Sequence, residues 1–408
     1  VGAVLSRPLR PYQEDAVTRA LAKLGEHRST LLVMPTGTGK TRVGSEIVAR
    51  WDGPALWLAH REELIDQGRA DLERYTGTRP GKEKAEERAR AGSDLVVGSV
   101  QTLKGDRLDD FAARVQPTLI VVDEAHHAVS PSYKAILAAF PSAKVLGLTA
   151  TPDRSDELAM GQVFESVAFV YEILDAIKSG FLCRYRWKRV QVDAIDLGNV
   201  KTVAGDLNQG ELDAVMSIEE VLHGVVKPTL ELAGGRRTIM FCTSVENAHR
   251  MAEIFNRYRP ASAQAIDGET PIDQRRRILS AHKGGEYQFL CNVGVLTEGY
   301  DDPAVSCIGM ARPTKSRALY AQMAGRGFRT CAGKEDLLVL DFVGNSGRHS
   351  LVNAADILDG KWDDEVAAKG RELADADETL DAVEAMERAA KLIDEQKAKD
   401  AARRAAIK

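Results

Sequence analysis

Residues 30–41 read TLLVMPTGTGKT, and this stretch decides the fold. An apolar run ending at Met34 passes directly into Pro35-Thr36-Gly37-Thr38-Gly39-Lys40-Thr41, and a helix-compatible stretch follows. Strand, glycine-rich loop and helix in that order make a phosphate loop. The glycines let successive backbone N–H groups turn inward around phosphate oxygens, and the helix that follows presents its positive N-terminal end. Thr36, Gly37, Thr38 and Gly39 would line the cradle, Lys40 would reach the β and γ phosphates, and the Thr41 hydroxyl would meet Mg²⁺. Met34 stands where the general pattern has its first Gly, so the loop needs support from elsewhere in the chain.

That support lies 83 residues beyond Lys40, where the apolar run LIVV at 119–122 ends in Asp123-Glu124-Ala125-His126. A carboxylate at the C-terminal end of a parallel strand faces the crevice where such sheets bind ligands. Asp123 is expected to hold Mg²⁺, and Glu124 to orient or deprotonate an attacking water. Phosphoryl transfer asks the protein mainly to position groups and neutralise charge, so these few residues suffice. His126 and His127 are adjacent, but no Cys or His cluster supports a zinc site. His126 is expected to bond across a domain interface, and His127 to pack or face solvent.

Working outward, short β-rich runs recur at 30–34, 55–59, 94–98, 119–122 and 145–148, and a second series at 238–240, 263–266, 288–291, 307–310 and 337–341. Helix-length polar stretches separate them. Nearly continuous Val, Leu and Ile without alternation is the mark of parallel strands covered on both faces. Two such series predict two α/β domains, at 1–155 and 227–345. Residues 156–226 are expected to be a linker with partial structure, and 346–408 a charged helical tail in which a coiled-coil seam is not sustained. The chain's 408 residues, 44% hydrophobic and 28% charged, exclude a fibrous or wholly disordered protein. A net charge of −5 leaves any nucleic-acid surface to local patches. Five cysteines without C-x-x-C spacing fit a reducing cytoplasm, and the richness in Ala, Gly and Arg points to a bacterial or phage-infected cell. No apolar run approaches a membrane span. No signal-like leader opens the chain, and its first residue is Val1, so the natural start is expected upstream.

With these residues in view the chain resembles the superfamily 2 helicases and translocases with a DEAH box, across nearly all of 9–345. LRPYQ at 9–13 looks like the adenine-reading Q motif, which assigns Arg10 and Gln13 to the nucleotide. LAHREELIDQ at 58–67 and VGSVQTL at 97–103 are similar to motifs Ia and Ib, and LTATP at 148–152 to motif III, with Thr149 and Thr151 as its coupling hydroxyls beside His126. MFCTSVENA at 240–248 is similar to motif IV. VGVLTEGYDDPAV at 293–305 is similar to motif V, where Gly299 and Asp301 would touch the nucleotide. YAQMAGRGFR at 320–329 resembles motif VI, with Met323 where the usual pattern has Arg. Gln322, Arg326 and Arg329 would act there, and Arg326 and Arg329, three apart on an expected helix, would face one cleft. Within the superfamily the likeness is to RadD-like proteins, mitochondrial branched-DNA helicases and phage helicases.

The resemblance implies two tandem RecA-like α/β domains with parallel sheets, ATP and Mg²⁺ as cofactors, and hydrolysis coupled to movement on duplex or branched DNA by a monomeric motor. An RNA helicase, the motor subunit of a restriction or defence complex, and a non-hydrolysing clamp are the alternatives. Expected backbone grips are His60, Arg61, Gln101, Thr102, Thr243, Ser244 and Thr297. In RYRWKR at 184–189, a strand would put Arg184, Arg186 and Lys188 on one face and Tyr185 and Trp187 on the other. Cations could then meet phosphates and aromatics either pack inward or stack on bases. The run KEKAEERAR at 82–90 is expected to be a solvated helix face.

Overall fold

The computed structural model describes residues 8–60, 62–150, 160–297, 300–346, 351–358, 362, 364–377 and 379–407. It divides into two compact units, Val1–Glu172 and Ile173–Lys408.

In unit 1 the strands are β1 (Ser29–Val33), β2 (Ala55–Ala59), β3 (Gly81–Glu83), β4 (Leu95–Ser99), β5 (Leu119–Asp123), β6 (Lys144–Thr149) and β7 (Ser166–Val170). They form one parallel sheet in the order β3-β4-β2-β5-β6-β1-β7. β1, β2, β4 and β5 are buried at every position, as covering helices on both faces require. The helix Pro11–Glu26 opens with Pro, which suits a first turn whose N–H has no intrahelical partner. It buries Ala16, Val17, Ala20 and Leu24 at helical spacing. Fully burying a side chain such as Val17 or Leu24 contributes about 1.5–3 kcal/mol before entropy is counted, and an alanine methyl less.

Unit 2 repeats the plan with β8 (Tyr185–Asp196), a small hairpin of β9 (Thr202–Val203) and β10 (Asp206–Leu207), then β11 (Arg237–Phe241), β12 (Ala263–Ile266), β13 (Phe289–Asn292), β14 (Val305–Met310) and β15 (Leu337–Asn345). Its parallel sheet runs β12-β13-β11-β14-β15-β8. Two RecA-like parallel sheets are therefore present, as expected.

Two expectations change. The stretch 156–226 is not a linker: β7 extends the first sheet beside β1, and β8 closes the edge of the second beside β15. The helix Glu219–Leu232 runs through position 226 and packs Val221, Leu222, Val225 and Val226 into the unit 2 core with Val190 and Val192. Polar residues and glycines between these elements hide their periodicity in the sequence. Residues 82–90 are not a helix. Glu83 ends β3 and is fully buried, its carboxylate paired with the Arg107 guanidinium at 2.5 Å and accepting from Ala89 N–H at 2.8 Å. A tertiary ion pair overrides the helical propensity of the run. The region after 345 carries the helices Asp364–Ala376 and Ala382–Ile407, where Val366, Ala389 and Ile393 form a small core and Lys178 reaches Glu387 at 2.6 Å.

All five cysteines are free, and among the described residues no helix is long and apolar enough to cross a membrane.

Candidate functional site

Gly37 and Gly39 hold φ at 89° and 87°, the left-handed region that glycine enters without penalty. Gly39 is the cap from which the helix Lys40–Arg50 starts. A Cβ at Gly39 would stand 2.6 Å from Gln13 Nε2, because Gln13 presses against the loop from the helix Pro11–Glu26. Gln13 Nε2 donates to the Thr38 carbonyl at 2.9 Å, and Gln13 Oε1 accepts from Arg10 N–H at 3.0 Å. The expected adenine reader is thus fastened to the phosphate loop itself. The Tyr12 hydroxyl donates to the same carbonyl at 2.7 Å, and burial raises its pKa. The Tyr12 ring stacks on Tyr171 with centroids 4.3 Å apart, while Arg10 reaches the Tyr12 hydroxyl at 3.2 Å. Thr38 is buried and turns its hydroxyl onto the Pro35 carbonyl at 2.7 Å. Lys40 Nζ donates to the Met34 carbonyl at 3.3 Å. Met34 N–H in turn donates to the carbonyl of Thr149, which ties the loop to the end of β6. Thr36 and Thr41 are half-buried in the same turn.

The acidic pair sits at the end of β5, separated from β1 by β6, so both features open at the carboxyl edge of one sheet. Asp123 Oδ1 accepts from Glu124 N–H at 3.1 Å. Glu124 has φ 52° and ψ 60°, a left-handed conformation that costs a non-glycine residue about 1–3 kcal/mol and concentrates at functional sites. It is buried, and its Oε2 has no hydrogen-bond partner among the described residues, with His126 Nδ1 at 3.6 Å. Beyond His126 the rings continue: His127 lies 4.1 Å from His126, and His60, at the end of β2, meets His127 edge-on at 4.3 Å. His126 and His127 are therefore links in a row that runs from Glu124 to His60. Among the described residues no group of three or more His, Cys, Asp or Glu is placed to hold a metal ion by itself. The donor types of Asp123 and Thr41 suit a divalent cation completed by phosphate oxygens, and the buried Glu124 oxygen, with no donor among the described residues, matches a position for water.

The remaining expected grips in unit 1 divide. Gln101 is exposed, whereas the Thr102 hydroxyl accepts from Ala85 N–H at 3.2 Å. Arg61, Thr151 and Gly299 lie outside the described residues.

In unit 2, three expected grips have structural employment. The Thr243 hydroxyl is buried and donates to Asp213 at 2.7 Å, Ser244 caps the helix Val245–Tyr258 by accepting from Asn247 N–H, and Thr297 is buried on the Gly294 carbonyl at 2.9 Å. Gln322 is half-buried in the helix Arg317–Gly325. Arg326 and Arg329 are not within that helix. It stops at Gly325, with Arg326 as its cap, because the chain then turns to bury Phe328 edge-on against Tyr185 at 5.3 Å. Both guanidiniums nevertheless converge on one segment: Arg326 donates to the Tyr300 carbonyl at 3.0 Å, and Arg329 pairs with Asp301. In β8, Tyr185 and Trp187 are buried, Arg184 pairs with Asp381 and Arg186 with Asp336 at 2.6 Å, so the aromatics pack inward and are not base-stacking surfaces.

Sequence reading missed Tyr171, which has no motif around it and gains its place only because Tyr171 N–H extends the β7 pairing to the Val33 carbonyl. It also left His127 without a role, although adjacent histidines after an acidic strand end were the available signal.

A parallel sheet carrying a phosphate loop and an acidic strand end has the form of a P-loop nucleotide-binding domain, and unit 2 has the same sheet architecture without the loop. The chain belongs to the superfamily 2 helicases. The family "Type III restriction enzyme, res subunit" matches residues 6–154, and "Helicase conserved C-terminal domain" matches 199–331. The putative ATP-dependent helicase IRC3 of Saccharomyces cerevisiae is 30% identical over 381 residues, covering 87% of this chain and 54% of that protein. The chain thus spans about half of that relative's length. The DNA 3'-5' translocase XPB2 of Sulfurisphaera tokodaii is 24% identical over 379 residues, covering 81% of this chain and 80% of that protein. In fold, the ATP-dependent Type ISP restriction-modification enzyme LlaBIII bound to DNA superposes with a TM-score of 0.63 at 18% identity, covering 87% of this chain and 29% of that one.

Proposed function

We propose that the chain is an ATP-driven DNA helicase or translocase. The observation that carries this reading is Glu124: a buried carboxylate oxygen with no donor among the described residues, on a strained residue, at the same sheet edge as the phosphate loop. Backbone N–H groups of 36–39 and Lys40 hold the triphosphate. Thr41 and Asp123 would hold Mg²⁺, which supplies charge neutralisation at the phosphates when bound. Glu124 accepts the proton of the attacking water at Oε2. Arg326 and Arg329 supply the remaining positive charge that transfer requires, a contribution of about 10³–10⁵ in rate in related chemistry. Nucleotide can drive movement only through different affinities for different conformations of the motor.

DNA is favoured over RNA by the likeness to a DNA translocase. The test is ATPase turnover with single-stranded DNA, duplex DNA, forked DNA and RNA at one salt concentration. Stimulation by DNA is expected; stimulation by RNA alone overturns the DNA reading. A second reading, the motor of a restriction complex, is favoured by the family matched over 6–154. Duplex-stimulated turnover by the isolated chain counts against a motor that works only inside such a complex.

A further inference from the structure

At the carboxyl ends of β14, β15 and β8, unit 2 contains a pocket of about 350 Å³, within the range of small-ligand sites. Three guanidiniums line it: Arg189 from β8, Arg312 from the segment after β14, and Arg371 from the helix Asp364–Ala376. Their ties to the protein are loose. The nearest carboxylates are Asp375, 4.0 Å from Arg189, and Asp356, 3.8 Å from Arg371, both beyond hydrogen-bond distance. Arg312 donates to a neutral amide, Gln209 Oε1 at 2.9 Å. Among the described lining residues the one carboxylate, Asp341, is buried and its two oxygens are already bonded, one by the Tyr320 hydroxyl and the other by Ala354 N–H at 3.0 Å. Its charge is thus partly quenched, and burial lifts its pKa to about 6. Three convergent donors in a concave site, without a bonded counter-ion among the described residues, match the oxygens of a phosphate, which guanidinium forks recognise.

The pocket also has an address. Gln209, the acceptor for Arg312, donates through its other end to the Thr243 carbonyl, at the end of β11. One side chain therefore joins the pocket to the motif IV loop, whose own hydroxyl is committed to Asp213.

We propose that Arg189, Arg312 and Arg371 form a phosphate-binding site that takes a backbone phosphate of the nucleic acid on which the motor acts. The inference rests on the motor reading and deepens it. The helix Asp364–Ala376 carries no motif that the sequence assigned to nucleic acid, and in the 184–189 run the cations expected to face phosphates are Arg184, Arg186 and Lys188, not Arg189.

The test compares wild type with the R189Q/R371Q double variant, which leaves the Arg312–Gln209 bond intact. Fluorescence anisotropy with a labelled duplex is measured across salt concentrations, alongside thermal-shift titration with inorganic phosphate. Expected are a loss of duplex affinity of about tenfold or more and a shallower log–log salt slope by about one, the value for one phosphate no longer neutralised. Melting temperature without ligand stays close to wild type. Unchanged duplex affinity and slope overturn the inference. Loss of stabilisation by inorganic phosphate with duplex affinity unchanged keeps the phosphate chemistry but rejects nucleic acid as its source. Duplex-stimulated ATPase of the wild type is read first: its absence overturns the motor reading, whereas its presence with an indifferent double variant overturns the pocket alone.

Discussion

At the residue scale, Glu124 and Lys40 separate chemistry from binding. Glu124→Gln preserves shape and removes the proton acceptor, so steady-state ATPase should fall by roughly 10²–10⁴ while nucleotide affinity holds; Lys40→Ala should abolish binding of a fluorescent ATP analogue. Two buried titrating groups of unit 2 oppose each other. Burial lowers the His282 pKa to about 4, so the unfolded chain binds more protons between about pH 4 and 6.5, and stability falls as pH drops through that window. Asp341 is raised to about 6, so the folded state binds more protons there, and stability rises as pH drops. At about 1.4 kcal/mol per pKa unit each amounts to ~3 kcal/mol, and the two nearly cancel. Denaturant melts from pH 7 to 5 should therefore be flat for wild type, steeper in acid destabilisation for Asp341→Asn, and reversed in sign for His282→Gln. The motif residues were legible because their chemistry is contiguous; the engagement of Thr243, Ser244 and Thr297 hydroxyls was not, since their partners are set by the folded loops.

At the scale of elements, β8 shows how a strand can be hidden by its neighbours. Its buried positions alternate, and its register against β15 shifts between Val343 and Asn345. Gly344 lies at that shift: a Cβ there would meet the Ile195 carbonyl oxygen at 2.3 Å and the Val192 carbonyl oxygen at 2.8 Å. Backbone cannot swing aside as a side chain can, so Gly344→Ala should force the two strands apart. The expected cost is about 2 kcal/mol or more, read as a fall in Tm of roughly 4–8 °C. An unchanged Tm would mean that the edge pairing tolerates a gap. The same variant should also disturb the arginine pocket, which Gly344 helps to line.

For the whole molecule, the prediction concerns division of labour between the units. Arg329→Ala should retain ATP binding, which unit 1 supplies, and lose turnover by about 10³ or more. Equal ATPase rates for wild type and Arg329→Ala would contradict the role given to motif VI. Affinity for DNA should drop steeply with salt because neutralised phosphates release counterions; for six or more phosphates the loss is about 10³ between 50 and 200 mM. A flat response would remove the backbone-grip account.

What the sequence determined by itself was every feature written in neighbouring residues. The phosphate loop, the acidic strand end and the core strands of both sheets are local patterns of apolar runs, glycines and charges. Only the tertiary structure decided which distant groups meet: Tyr171 under Tyr12, Glu83 beneath Arg107, β7 and β8 at their sheet edges, and three arginines from three elements around one cavity. The reason is physical. Periodicity reports which face of an element is buried, but the partner on that face is chosen by packing and charge across tens or hundreds of residues, which no local spacing encodes.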